Sequence, residues 1–112
     1  MNYRLHTEFK VKKLKNDRDV ESFQKLMKNL YFQRDTKRGV ESTFLWLIEE
    51  VGELSRAIKN NHEQNIREEF GDVLAWLCSL ANLKNINLVE VAFEKYPNKC
   101  PRCNKTSCEC PE

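Results

Sequence analysis

The apolar residues of this chain recur at helical intervals in four segments, and nowhere do they alternate at the two-residue spacing of a strand. After Asp19, the residues Phe23, Leu26, Met27, Leu30 and Tyr31 fall at i, i+3, i+4, i+7 and i+8. That spacing predicts a helix capped by Asp19 and ending near Gln33. The polar run from Arg34 to Gly39 reads as a connection, with Gly39 able to take a turn conformation closed to other residues. A second helix is expected from about Thr43 to Lys59, with Phe44, Leu47, Ile48, Val51, Leu54 and Ile58 as its inward stripe. Asn60, Asn61 and His62 break the pattern. A third helix follows from about Gln64 to Leu83, its core face made by Ile66, Phe70, Val73 and Leu77. Asn87 and Glu90 form an Asn-x-x-Glu pattern like a capping box, opening a short last helix that Pro97 stops.

The expected fold is therefore all-α, a helical bundle of four to five helices. The 112 residues suit one domain. Helices with more than one apolar margin would leave hydrophobic surface open in so small a monomer, so homo-oligomerisation is expected to complete the bundle, as a dimer or a tetramer. Three regions are expected: a basic N-terminal arm over 1–18, a helical domain over 19–97 and a short Cys-rich C-terminal tail over 98–112.

Polar positions inside the central helices carry the candidate chemistry. Glu50-x-x-Glu53 and Glu69-x-x-Asp72 are separated by fifteen residues. Residues three apart share a helix face, so each pair projects side by side, and a short connection would fold the second pair against the first. Without a cation such grouping costs about 0.2–0.5 kcal/mol for each like-charged pair. Leu54, Ala57, Val73 and Trp76 stand four residues after the acids, where cations would compensate; only Arg56, three after Glu53, is a helical partner. Hard oxygen ligands in this number suit Mg²⁺ or Mn²⁺, which keep waters and leave positions for substrate phosphates. The alternative is that the acids are solvated faces of charge-rich helices. Their placement weighs against it: Trp46, Glu50, Glu53 and Ala57 form a stripe beside the inward one, and Glu69, Asp72 and Trp76 share a margin of the third helix.

Composition narrows the setting. The chain is 40% hydrophobic and 32% charged, as expected for a helical protein with a modest core. No apolar run approaches the roughly 20 residues that span a bilayer, and the basic N-terminus MNYRLHTEFKVKKLK is not followed by the apolar block of a secretory segment. A cytoplasmic protein without a membrane partner is expected. The net charge of +2 gives no strong nucleic-acid signal. Lys10, Lys12, Lys13, Lys15 and Arg18 are clustered, which reads as a solvated arm or as a contact for phosphate or nucleic acid.

The stretch YFQRDTKRGVESTFLWLIEEVGELSRAIKNN, followed by EEFGDVLAWLCSLANLKNINL, resembles the MazG-like nucleotide pyrophosphohydrolases of the all-α NTP pyrophosphatase superfamily, over about Val20 to Tyr96. The pattern of that family is Glu-x-x-Glu, a gap, then Glu-x-x-Asp, and Glu50, Glu53, Glu69 and Asp72 match it together with Gly52, Leu54, Gly71 and Leu74. The resemblance implies Mg²⁺ held by those four side chains and hydrolysis of a nucleoside triphosphate to the monophosphate and pyrophosphate, in nucleotide-pool house-cleaning. Related domains often carry Asn seven positions after the acidic Asp, where this chain has Ser79. Glu49 is a candidate for orienting or deprotonating the attacking water, or a solvent-facing helix residue. Arg34, Lys37, Arg38 and Lys95 are candidates for neutralising phosphate, with surface charge as the alternative. Trp46 and Trp76 flank the acids, placed to stack on a base or to pack in the core or an oligomer.

Cys100-x-x-Cys103-x₄-Cys108-x-Cys110 places four thiols in the tail. A structural Zn²⁺ held by four thiolates is one reading, and a flexible or redox-active tail is the other. Cys78, within a helix, reads as an inert packing residue. Two competing functions stand beside the pyrophosphohydrolase. One is a non-catalytic nucleotide- or nucleic-acid-binding module using the basic arm and the tail, and the other a hydrolase of a different phosphate-chain substrate such as phosphoribosyl-ATP.

Overall fold

The structure, a computed structural model, describes residues 18–112. The basic cluster from Lys10 to Lys15 lies outside the described residues, and Arg18 is exposed. All regular structure among the described residues is helical: α1 (Val20–Arg38), α2 (Val40–Asn60), α3 (Glu63–Leu83) and α4 (Leu88–Lys95).

Asp19 caps α1 as its spacing predicts, its carboxylate accepting the Ser22 N–H at 2.7 Å. The helix does not end near Gln33. It runs on through the expected connection to Arg38, because Thr36 donates to the Phe32 carbonyl, Arg38 pairs with Asp35 one turn back, and the Gly39 N–H closes the last turn on the Asp35 carbonyl. The break falls on Gly39 alone. Its φ of 91° and ψ of 165° are open to glycine and strained for any L side chain, so the chain turns from α1 into α2 within one residue.

The α2–α3 hairpin turns at Asn61 and His62. Asn61 adopts the left-handed conformation (φ 56°, ψ 38°) and the His62 N–H reaches back to the Ala57 carbonyl at 3.3 Å, a common way to satisfy the last carbonyls of a helix. His62 then caps α3, its Nδ1 accepting the Asn65 N–H. Asn87 caps α4 by accepting from the Glu90 N–H at 2.9 Å. That helix stops at Lys95, since the residue before Pro97 is driven out of the helical region.

α3 is the central element, with α2 packed on one side and α1 on another, and α4 lies against α1. Apart from Leu47, the buried residues of α2 and α3 are small: Thr43 and Ala57 on α2, and Cys78, Ser79 and Ala81 on α3. Small side chains let the helix axes approach closely. Burial pushes the Cys78 thiol up, away from thiolate reactivity. From α1 the inward residues are Gln24, Met27 and Asp35. Gln24 joins three segments. Its amide donates to the Asn82 side chain (3.0 Å) and the Ile86 carbonyl (2.7 Å), its Oε1 accepts the Leu88 N–H, and its own carbonyl accepts from Asn82. These bonds fix the start of α4 against α1.

The burial pattern corrects the expected core stripes. Leu47 is buried and Leu54 is half-buried, but Phe44, Ile48, Val51 and Ile58 of the same stripe are exposed. Phe70 and Leu77 on α3 and Leu26, Leu30 and Tyr31 on α1 are exposed as well. Three long helices in one chain can cover only one flank of each neighbour, which leaves these apolar side chains open. No helix among the described residues is long and apolar enough to cross a membrane.

Candidate functional site

The short turn at Asn61 and His62 sets the register of α2 against α3. Trp46 comes opposite Trp76, with ring centroids 5.8 Å apart and planes 14° from parallel. One helical turn further along, Glu50 meets Asp72. The next turn places Glu53 beside Glu69, the two lining one shallow cleft of about 230 Å³ with Arg56 and His62. Three-residue spacing within each helix thus becomes pairing between helices.

Carboxylate oxygens of Glu50, Glu69 and Asp72 all lie within 4.8 Å of one another. Glu50 and Glu69 are each held above the usual 4.5, desolvation being the largest cause and the Asp72 charge the next. Oε1 of Glu69 is buried and has no hydrogen-bond partner. A buried acceptor left unpaired is costly, and a cation at the carboxylates would satisfy it while offsetting their repulsion. Oxygen-only donors in this number suit a hard divalent ion that keeps part of its water, so these residues fit Mg²⁺ or Mn²⁺.

Raised proton affinity in the folded state fixes a sign. Each of these two groups contributes stability below the ordinary Glu value of 4.5, and the contribution is lost as pH rises through the folded values. In chelator, lowering the pH from neutral to below 4.5 is therefore expected to raise the melting temperature of the wild type relative to a Glu50→Gln/Glu69→Gln variant. Parallel pH profiles of the two proteins would refute it.

Glu53 stands apart from the three-carboxylate group. It pairs with Arg56 at 3.3 Å, the helical partner that the spacing picks out. Glu49 is exposed and also lies outside the group.

A second cleft, of about 280 Å³, opens between α1 and α3 and has Asp72 in its wall. Met27, Tyr31, Arg34, Asp35 and Arg38 line it from one face of α1, and Asp72, Ala75, Trp76 and Ser79 from one face of α3. Arg34, Arg38, Trp76 and Ser79 are thus brought together beside an acid of the cluster. Lys37 is exposed and absent from this lining, and Lys95 is exposed on α4, which packs against α1. The Arg38 guanidinium lies 4.7 Å from the Trp76 ring centroid and pairs with Asp35 at 2.7 Å, with the Thr43 hydroxyl at 3.4 Å. Trp76 is therefore flanked by Arg38 as well as Trp46, an arrangement that orients the guanidinium.

Asp35, 2% exposed, is a site residue that the apolar periodicity does not single out. Its signal in the sequence is Asp-x-x-Arg at positions 35 and 38, a helical ion-pair spacing inside the polar run before Gly39.

None of the curated proteins matches this chain. The family model of the MazG nucleotide pyrophosphohydrolase domain matches residues 38–104, more than half of the 112 residues and including all four acids of the paired motifs. The all-helical fold agrees with it, and the chain belongs to the MazG nucleotide pyrophosphohydrolase family.

Proposed function

We propose that the protein is a Mg²⁺-dependent nucleoside triphosphate pyrophosphohydrolase, releasing monophosphate and pyrophosphate in the upkeep of the nucleotide pool. The observation that carries this reading is the gathering of Glu50, Glu69 and Asp72, of which Asp72 lines a cleft whose opposite wall presents Arg34 and Arg38. Negative and positive groups flank the same opening, as a metal-bridged phosphate chain requires.

In this reading Glu50, Glu69 and Asp72 hold the divalent ion, and Glu53 is the fourth carboxylate of the set. Bound there, Mg²⁺ supplies charge neutralisation at the phosphate oxygens. Arg38 presents its guanidinium in a fixed direction, because Asp35, Thr43 and Trp76 engage it. Arg34, one turn before it on α1, adds a second cation to the same wall. Ser79, 4% exposed on the α3 side, offers a hydroxyl to the sugar or base. Glu49, exposed beside Glu50, is the carboxylate left over to hold the attacking water and take its proton. The water oxygen bonds to one phosphorus of the α–β linkage, the bridging P–O bond to that phosphorus breaks, and monophosphate and pyrophosphate are released.

The exposed Phe44, Ile48, Val51 and Ile58 on α2, with Phe70 and Leu77 on α3, support an oligomer that covers them. Incubation of the full chain with each common ribo- and deoxyribonucleoside triphosphate, with and without Mg²⁺, is expected to release monophosphate and pyrophosphate only with the metal. Binding without turnover of any triphosphate would overturn the catalytic reading in favour of a binding module. A sedimenting mass of 13.3 kDa in an active preparation would remove the oligomer from it.

A further inference from the structure

The tail after α4 holds its shape without apolar support. Residues 98–112 include no Val, Ile, Leu, Met, Phe, Tyr or Trp, so no side-chain core offsets the entropy of ordering them. The backbone is nevertheless specific. The Asn104 N–H donates to the Cys100 carbonyl and the Cys100 N–H to the Lys105 carbonyl, each at 2.9 Å, with Asn104 in the left-handed region at φ 62°. This tight loop brings Cys100 and Cys103 together, and the following residues return Cys108 and Cys110 to them.

All four Sγ atoms lie within 4.8 Å of one another, and none is in a disulfide. Cys100 and Cys110 have their sulfurs 3.7 Å apart. A tetrahedral ion with Zn–S bonds of about 2.3 Å has edges of about 3.8 Å. Backbone N–H groups are directed at three of the four sulfurs: Glu109 donates to Cys103 and Cys110 to Cys108, each at 3.4 Å, while those of Arg102 and Cys103 face Cys100. Donors so placed stabilise thiolates rather than thiols. Lys99, Arg102 and Lys105 are interleaved with the first two cysteines, all exposed, and supply positive charge around a centre that would carry two net negative charges.

We propose that Cys100, Cys103, Cys108 and Cys110 form a tetrahedral Zn²⁺ site that is the structural core of the tail, separate from the carboxylate centre. Thiolates select zinc over magnesium by softness, whereas the all-oxygen carboxylate centre suits magnesium or manganese, so the two sites differ in donor type. The MazG match ends at residue 104, between the second and third cysteines, and leaves Cys108 and Cys110 outside it. Each thiol gives its proton to solvent as its sulfur binds the ion.

The test uses the full chain, reduced and stripped of metal. Zinc titration against a chromophoric chelator is expected to show one tight equivalent per chain, with the four tail thiols becoming unreactive toward a thiol reagent. Cobalt in its place should give the sulfur-to-metal charge-transfer absorption of a tetrathiolate. A Cys103→Ser/Cys108→Ser variant should lose the equivalent and the absorption while keeping the helical circular dichroism, and Glu69→Gln should keep both. Should the double variant not fold, native mass spectrometry of the wild type reads the stoichiometry directly. Zinc well below one equivalent, tail thiols still reactive in excess zinc, uptake unchanged in the serine variant, or iron in place of zinc in the isolated protein would each overturn the proposal.

Discussion

Glu69→Gln is expected to lower turnover by at least about a hundredfold and, at the same time, to raise the melting temperature of the metal-free protein. A hundredfold corresponds to about 2.7 kcal/mol of transition-state stabilisation, a modest share of what a metal ion at a phosphate chain supplies. The opposite movement of stability follows from the same geometry. Glu69 is desolvated, lies within 4.8 Å of Glu50 and Asp72 through its carboxylate, and has one oxygen buried without a partner. A neutral amide removes the charge repulsion and brings a donor that the neighbouring carboxylates can accept from. Steady-state kinetics with Mg²⁺ and thermal unfolding in chelator measure the two arms. Turnover within about threefold of the wild type would remove Glu69 from the centre. A fall in both activity and melting temperature would mean that the residue serves the fold rather than the reaction.

The second large effect concerns stability. Arg38→Met is expected to lower the unfolding free energy by about 3 kcal/mol, because it leaves a buried carboxylate without its cation. Asp35 is 2% exposed, its Oδ1 is 2.7 Å from the Arg38 Nη1, and its Oδ2 has no hydrogen-bond partner. The pair resembles an exposed i,i+3 bridge in sequence, where about 0.3–0.5 kcal/mol would be usual, and differs from one only in burial. Met keeps the aliphatic stem against Trp76 and removes the charge. Denaturant unfolding of Arg38→Met, Asp35→Leu and the double variant separates the contributions. The double variant should recover most of the loss, since two apolar groups leave nothing unpaired. A single-variant loss under about 1 kcal/mol would show that the pair behaves as a surface bridge.

Local features were readable from the chain alone, because each depends on residues within a turn or two. The cap at Asp19, the hairpin turn at Asn61 and His62, the Asn87 cap and the unusual backbone of Gly39 follow from side-chain chemistry and backbone sterics. So does the projection of Glu50 with Glu53 and of Glu69 with Asp72, which helical geometry alone requires. The Arg56 partner of Glu53 is equally local.

Tertiary structure decided what depends on which surfaces meet. Periodicity marks Phe44, Leu47, Ile48, Val51, Leu54 and Ile58 as one face, yet of these Leu47 alone is buried and Leu54 half-buried, while Thr43 and Ala57 from beside the stripe are buried with them. The extension of α1 to Arg38 was hidden for a similar reason. Its last turns are polar, and their helical state rests on the burial of Asp35 against Arg38 and on a break postponed to Gly39. Which three acids converge was likewise not local. The register set at Asn61 and His62 brings Asp72 to Glu50, while Glu53 is drawn to Arg56. By itself, then, the sequence determined the helices, their caps and the shared faces of the acids, since these obey short-range geometry. The buried faces, the Asp35–Arg38–Trp76 contact and the membership of the carboxylate group belong to the fold, since packing between distant segments outweighs any one segment's pattern.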